Sequence, residues 1–551
     1  MSSLQSLLQA ALVEMGQQRH AQAAALLAPY AHLPSNELQR YYGEALRRSG
    51  RPQEAVGPLM QALALKMDDV DAYLQLAFAL QSLQMKAEAA ECFRTVAALQ
   101  PLSIMAQCYQ AHGDQQCARW QDFEANLQSL TAAIRAKPDG ATDEFGVPFA
   151  LGGLPHQPAD LLKVARMSTG FLSRGLQPLP PIAAVAKPKL RIGYLSCDFH
   201  AHATAALLVE VLEARDRDRF EVLLFSHGPD DGTTLQQRIR SACDRFIDVS
   251  ELDLAGIAAR MRAEQVDIAV DLKGHTAGSR FTALACRPAP VQVAWLGFPG
   301  TSGADFIDYI VGDEIVTPLA DAPFYSEKIA QLPGCYQPCD ASRRIEPVNR
   351  ADLGLPEDAL VLLAANAVYK VTPRVFDVWM AVLHRLPQAL LWQLSGGEQA
   401  DAQLRAEAQR RGVAPDRIVF MPPVGMAEHG HRLAAADLAL DTWPYNGHTT
   451  TSDALASGVP VVSLRGDGFG SRVAESVLTA AGLPELVCGT PDEFVARVCA
   501  LANGPRPTIR PWIDSTTFAR DLEALYERMW ARAVAGLPPA ALAAQPSTDA
   551  A

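Results

Sequence analysis

The sequence predicts an all-α helical-repeat array followed by two α/β lobes, each a parallel sheet covered by helices. Three observations point there. Residues 1–135 are rich in Ala, Leu and Gln at helical spacing and hold almost no strand-like run. Residues 187–345 and 346–525 each alternate β-branched runs with helix-length segments, the pattern of parallel strands joined by crossover helices. Between array and lobes, the 136–186 stretch reads as a helical and proline-rich connector, running into GLQPLPPIAAVAKPKL, whose prolines suit a semi-rigid link. The 551 residues leave room for about three to four domains.

The helical region repeats. Gly50, Glu54, Ala55 and Leu59 lie 34 residues before Gln84, Glu88, Ala89 and Phe93, and the same step backwards reaches Gly16, His20, Ala21 and Ala25. Within a unit, Gly43 and its counterpart Ala77 are small where paired helices touch, and Ala55 and Ala89 let the next helix approach. The period and the small-residue positions resemble a short tetratricopeptide array of about two to three units with degenerate ends, which would present a groove to peptides or partner proteins.

In the first lobe the expected strands are KLRIGYLSCDF, FEVLLFS, DRFIDVS, VDIAVDLKG, VQVAWLGFPGTSG and IDYIVGD. In the second they are LVLLAANAVYK, ALLWQLSG, RIVFMPPV, LALDTWPYNG, VPVVSLRG and PELVCG. Parallel sheets of this kind bind ligands in the loops at the carboxyl ends of their strands, and two in tandem make the cleft between them the expected site. The end, residues 526–551, is Ala/Pro-rich and reads as a helix end and flexible tail.

Composition narrows the function classes. A net charge of −13 argues against a general nucleic-acid or anionic-membrane binder. No apolar run approaches the length of a membrane span, and MSSLQSLLQAALVEM lacks the basic start and cleavage site of a secretory signal. The ten cysteines form no Cys-x-x-Cys pair and read as small buried thiols of a reducing compartment, so a cytoplasmic protein is expected.

Four strand-end loops can carry chemistry. In Leu440–Asp453 a Pro/Asn/Gly turn precedes a helix that starts at the threonines. The free N–H groups of that helix, with the Thr449 and Thr450 hydroxyls and His448, would form an anion site, and Asp453 one turn on could accept from a sugar hydroxyl. A helix whose threonines cap only their own N-terminus is the plainer alternative. In Ala365–Lys370, Lys370 can lend a point charge to a diphosphate, although such a lysine is often only solvated surface. In Asp198–Thr204, His200 and His202 could supply a base or a donor, with no third ligand nearby for a metal. Gly297–Gly303 is a flexible turn whose backbone could approach a ligand, or simply a tight turn.

Other patterns mislead. No Gly-x-Gly-x-x-Gly opens the first lobe, which disfavours a dinucleotide-dependent dehydrogenase. Gly466–Arg472 is glycine-rich but lacks a phosphate-binding lysine, and reads as a mobile loop near the cleft or a surface turn. Asp69/Asp71 and Asp216/Asp218 read as solvated charge, which leaves a metal-independent mechanism preferred.

Taken together, the repeats with GYLSCDFHAHAT, AWLGFPGTSGADFIDYI, ANAVYK and LDTWPYNGHTTTSDAL resemble the O-linked N-acetylglucosamine transferase family in its bacterial form, over about residues 100–530. The resemblance implies a GT-B fold, two Rossmann-like lobes facing a cleft. It also implies inverting, metal-independent transfer of N-acetylglucosamine from UDP-N-acetylglucosamine to Ser/Thr hydroxyls of proteins, with no cofactor. On it, Lys370 would hold the diphosphate; His448, Thr449 and Thr450 would cradle the phosphates, and Asp453 the ribose. His429 and Arg432 would lie near the base, and Tyr369 with Pro299, Gly300 and Thr301 would line the sugar and acceptor side. His202 matches a histidine proposed as base or acceptor-site group. The chain departs from animal members in its shorter repeat array, the direct lobe connection CDASRRIEPVNRADLGLPED, Ala367, and the lack of a lysine before His429. Alternatives are a tetratricopeptide adaptor whose GT-B module binds nucleotide without turnover, or a related transferase or epimerase with another acceptor.

Overall fold

The computed structural model describes residues 2–17, 19–340, 342, 345, 346 and 348–546. The chain divides into two compact units, Met1–Ala136 and Lys137–Ala551.

The first unit is all helix: α1 (Ser2–Gly16), α2 (His20–Leu27), α3 (Asn36–Arg48), α4 (Pro52–Leu65), α5 (Val70–Ser82), α6 (Lys86–Leu99), α7 (Ile104–Gln116) and α8 (Phe123–Ala136). Its period is written into the backbone. Ser35, Asp69 and Ser103, each 34 residues apart, cap α3, α5 and α7 by accepting the amide N–H three residues on. Gly50, Gln84 and Ala118, at the same step, all take positive φ (81°, 61° and 52°) in the turns that follow. The third copy of the turn is invisible in sequence, because alanine gives no hint of a left-handed conformation. Gly43 is required: a Cβ there would lie 2.5 Å from Cγ of Leu59. Phe78, Phe93 and Tyr109 pack ring to ring across α5, α6 and α7, with centroids 4.8–5.7 Å apart. Asp69, expected to be solvated, is instead a buried cap beside Arg40.

The second unit holds two parallel sheets. One comprises β1 (Leu190–Ser196), β2 (Phe220–Ser226), β3 (Arg245–Asp248), β4 (Ile268–Asp271), β5 (Val291–Ala294), β6 (Tyr309–Gly312) and β7 (Lys328–Gln331), in the order 3-2-1-4-5-6-7. The other comprises β8 (Leu360–Ala364), β9 (Ala389–Leu394), β10 (Ile418–Met421), β11 (Leu438–Leu440), β12 (Val461–Leu464) and β13 (Val487–Cys488), in the order 10-9-8-11-12-13. Both are doubly wound, and the order reverses between β1 and β4 and between β8 and β11. The expected strands all form. β7 was not expected, being four residues with a lysine at its start.

Two segments do more than their sequence suggests. The helical and proline-rich stretch expected to connect array and lobes belongs, from Lys137 on, to the second unit, and its helices α9 (Pro148–Gly152) and α10 (Pro158–Leu172) pack on the site described below. The end is not free up to residue 546. After the helix Ser515–Val534, Leu542 is buried and pairs with β7, donating to Ile329 O and accepting from Gln331 N (2.9 and 2.8 Å). An open sheet edge offers unpaired N–H and C=O groups, and this segment satisfies two of them. Residues 547–551 of the expected tail lie outside the described residues. The helix Ser515–Val534 itself folds back on the first sheet, where the Tyr526 and Tyr194 hydroxyls meet at 3.2 Å.

Candidate functional site

Three of the four loops that the sequence singled out lie where a strand order reverses: those after β8 and β11 flank the switch point of the second sheet, and that after β1 flanks the first sheet's, opposite the loop after β4. The fourth, Gly297–Gly303, follows β5. An open α/β sheet splays its loops apart at this point and leaves a crevice.

Lys370 closes a single 3-10 turn, Val368–Lys370, just after β8. It is buried, not solvated. Its Nζ donates to Asn446 O at 2.9 Å and lies 4.2 Å from the centroid of Tyr445. Burial pushes its ammonium down to about 8, partly offset by Asp441. Asp441, at the end of β11, is pushed up to about 6 by burial against the pull of its donors. Those donors tie three segments together: Gly447 N and Ser463 Oγ, both at 2.6 Å, and Asn366 Nδ2 at 3.4 Å. The oxygens Asn366 Oδ1 and Asn446 Oδ1 are buried without a partner among the described residues.

The turn Thr442–Asn446 leads into the helix Thr449–Ala456, with His448 at its N-cap and no side chain capping it. The His448 ring stacks on Tyr445 (centroids 4.9 Å apart), and its Nε2 faces Gly470 O at 3.4 Å. Burial and the neighbouring Lys370 hold this imidazole well below its ordinary range. Its backbone carbonyl accepts from the amides of Thr451 and Ser452. Thr449 and Thr450 are half-exposed and Asp453 is buried on the same helix. Gly466–Arg472 is no detached surface turn. Gly470 O accepts from Asn446 N at 2.9 Å, Phe469 packs edge-on against Tyr336, and Arg472 pairs with Asp321 of the first lobe.

His429 and Arg432 share the short helix Met426–Leu433, which is joined to the next helix by Ser457 Oγ donating to Gly430 O. Arg432 is buried and points at His429 Nδ1 (2.9 Å) and Pro422 O. Burial lowers its guanidinium, and its Nε has no hydrogen-bond partner among the described residues.

In the first lobe, Pro299 lies against Gly470 across the cleft, with 3.6 Å from its Cγ to the position of a Cβ on that glycine. Thr301 is buried with its hydroxyl donated to Glu327 at 2.7 Å, so that side chain anchors the turn. Gly303, at φ +69°, touches α10 so closely that a Cβ would lie 2.3 Å from backbone atoms of Ala165 and Arg166. Thr169 of α10 also donates to Ser302 O. α9 meets the other lobe: Phe149 packs on Tyr369 and Tyr445 at 5.7 and 6.2 Å. The supposed connector therefore buttresses both sides of the cleft. Nothing in its sequence beyond an aromatic next to a proline marked it.

His202 caps the helix Ala203–Ala214 (α11) after β1. The residue that sequence reading missed is Lys273, just after β4. It is buried and bonded through Nζ to both Asp198 carboxylate oxygens, at 2.9 and 2.8 Å. Among the described residues, no group of three His, Cys, Asp or Glu side chains is arranged to hold a metal ion.

The model of glycosyl transferase family 41 matches in two overlapping stretches, residues 179–347 and 339–506, which span both sheets and all four loops. The chain belongs to glycosyl transferase family 41. Family 41 relatives include an Arabidopsis thaliana protein named a probable UDP-N-acetylglucosamine–peptide N-acetylglucosaminyltransferase SEC, 33% identical over 442 residues, covering 75% of this chain and 45% of its own. The Caenorhabditis elegans UDP-N-acetylglucosamine–peptide N-acetylglucosaminyltransferase is 28% identical over 476 residues, 64% of this chain and 41% of its own. The chain thus spans less than half the length of these relatives. Among solved structures, a mutant of the Thermobaculum terrenum O-GlcNAc transferase superposes with a TM-score of 0.73 at 28% identity, covering 91% of this chain and 98% of that one. The helical array followed by paired Rossmann-like sheets therefore shares its architecture with that O-GlcNAc transferase. Among the described residues, no helix is long and apolar enough to cross a membrane.

Proposed function

We propose that this family 41 member transfers N-acetylglucosamine from UDP-N-acetylglucosamine to Ser or Thr hydroxyls of proteins, with inversion at the anomeric carbon. The observation that carries the reading is Lys370, a buried ammonium at the switch point of the second sheet, beside a helix N-terminus that no side chain caps. A preorganised cation and free amides in a dry crevice favour the charge that builds on a departing diphosphate.

In this mechanism the acceptor hydroxyl attacks the anomeric carbon as the bond to the diphosphate oxygen breaks; the hydroxyl's proton passes to the departing diphosphate oxygens or to solvent, and UDP leaves. Lys370 stabilises the departing UDP, and His448, Thr449 and Thr450 hold its phosphates. Asp453 takes the ribose, and His429 and Arg432 flank the base. Tyr369, Pro299 and Gly300 line the sugar and acceptor side, with Thr301 acting through the turn that its bond to Glu327 holds. The unpartnered oxygens of Asn366 and Asn446 are available to donor hydroxyls. His202 lies at the first lobe's switch point. Positive charge at the diphosphate comes from protein groups, so the mechanism calls for no metal. The helical array would present acceptor segments, and the ten free cysteines suit a reducing compartment such as the cytoplasm.

The test is incubation with UDP-N-acetylglucosamine and a cell lysate, followed by mass spectrometry. Labelled Ser/Thr peptides are expected. If the donor is not hydrolysed and no protein is labelled, the transferase reading fails. Calorimetry then separates a nucleotide-binding adaptor, which would still bind UDP, from a chain that binds none.

A further inference from the structure

His202 sits between two groups that make opposite demands on one ring nitrogen. The amide N–H of Thr204 donates to Nδ1 at 3.2 Å, as an N-cap of α11. An amide can only donate, so Nδ1 carries the lone pair and the ring's proton is on Nε2. Yet Asp198 Oδ2 lies 3.4 Å from the same Nδ1. A bare carboxylate there would draw a proton onto Nδ1 and break the cap.

Asp198 is not bare. Lys273 reaches in from the loop after β4 and bonds to both of its oxygens, and the pair is buried. Thr204 Oγ1 donates to Oδ2 at 3.3 Å, and the Cys197 thiol to Oδ1 at 3.3 Å. The other titratable groups around His202 are His200, with ring centroids 5.7 Å apart, and, from the loop after β2, Asp231, which lies 3.8 Å from His200 Nδ1. Burial holds the His202 imidazole below its ordinary value; Asp198 pulls it up, and Lys273 and His200 push it down.

We propose that Lys273 is a positioning residue which, by neutralising Asp198, keeps His202 a neutral imidazole with Nδ1 on the helix amide and Nε2–H as its donor to substrate. On the transferase reading, which this inference deepens, His202 then donates to a substrate oxygen and does not take the acceptor's proton. Its ring nitrogen with a lone pair is already spent on α11.

The experiment uses the full chain labelled with ¹⁵N and ¹³C at histidine, with the His202 signals identified by their loss in His202→Ala. In the wild type, His202 is expected as the Nε2–H tautomer, titrating below its ordinary value. In Lys273→Met the bared Asp198 should raise the titration by about one pH unit or more and move a proton onto Nδ1, the usual scale for an opposite charge at this range. Lys273→Arg should restore the wild-type behaviour. Should Lys273→Met not fold, Asp198→Asn decides: removing the one group that pulls upward must lower the titration. An Nδ1–H tautomer in the wild type, or a titration unmoved by both Lys273→Met and Asp198→Asn, overturns the proposal. These signals need no turnover. A titration that moves in a chain without transferase activity would sink the transferase reading and still support the role of Lys273.

Discussion

Replacing Lys370 with alanine removes a buried ammonium whose position the fold over-determines, through Asn446 O at 2.9 Å and the face of Tyr445 at 4.2 Å. The loss should fall mainly on kcat, because the charge it meets grows only as the diphosphate departs. Removing one preorganised donor of this kind costs about 100- to 1000-fold, or about 2.7–4 kcal/mol of barrier. Folding should survive, since the buried Asp441 keeps its donors Gly447 N, Ser463 Oγ and Asn366 Nδ2 and, already pushed up to about 6 by burial, can take a proton. A second signature comes from pH. Burial has pushed this ammonium down to about 8, and the protonated form is the active one. Wild-type kcat/KM should therefore be full below that value and fall as pH rises through it. The same limb on kcat should lie higher, because bound diphosphate favours the cation. In Lys370→Ala the limb should vanish. Release of UDP and labelling of acceptor protein, each followed from about pH 6 to 10 alongside UDP calorimetry, read all three effects. Turnover within about threefold of wild type, or an alkaline limb unchanged in the variant, would refute the leaving-group role.

Three further outcomes are expected. His202→Ala should lose activity while UDP calorimetry stays near wild type; wild-type turnover would remove this residue from the site. Gly303→Ala should destabilise by about 2 kcal/mol or more, since a Cβ would sit 2.3 Å from the backbone of α10 at a φ of +69°, and thermal unfolding checks it. Phe149→Ala removes two ring contacts with Tyr369 and Tyr445 and should cost about 1–3 kcal/mol in denaturant unfolding, with a lower kcat/KM; an unchanged kcat/KM would show that α9 does not buttress the sugar side.

Periodicity made the elements legible. Strands buried on both faces read as continuous apolar runs, and every such run became a strand; β7 escaped because four residues beginning with lysine carry no such pattern. The 34-residue step was visible where glycine and alanine mark helix contacts, and lost at Ala118, where backbone geometry repeats without a matching residue. Among candidate site residues, Lys370 and His448 stood out because they lie in loops that follow strands. Lys273 was missed because a lone lysine in DLKGH looks like any solvated one, and only its partner 75 positions away explains it.

What the sequence determined by itself is therefore the class of fold, the order of its elements and the loops worth searching. These follow from local patterns of apolar and turn residues. Only the tertiary structure decided which loops meet, that Lys370 and Lys273 are buried, that the stretch 136–186 walls the cleft, and that Leu542 is zipped to a sheet edge. The physical reason is that burial, charge pairing and close backbone approach depend on residues far apart in the chain. No window of local sequence contains both partners.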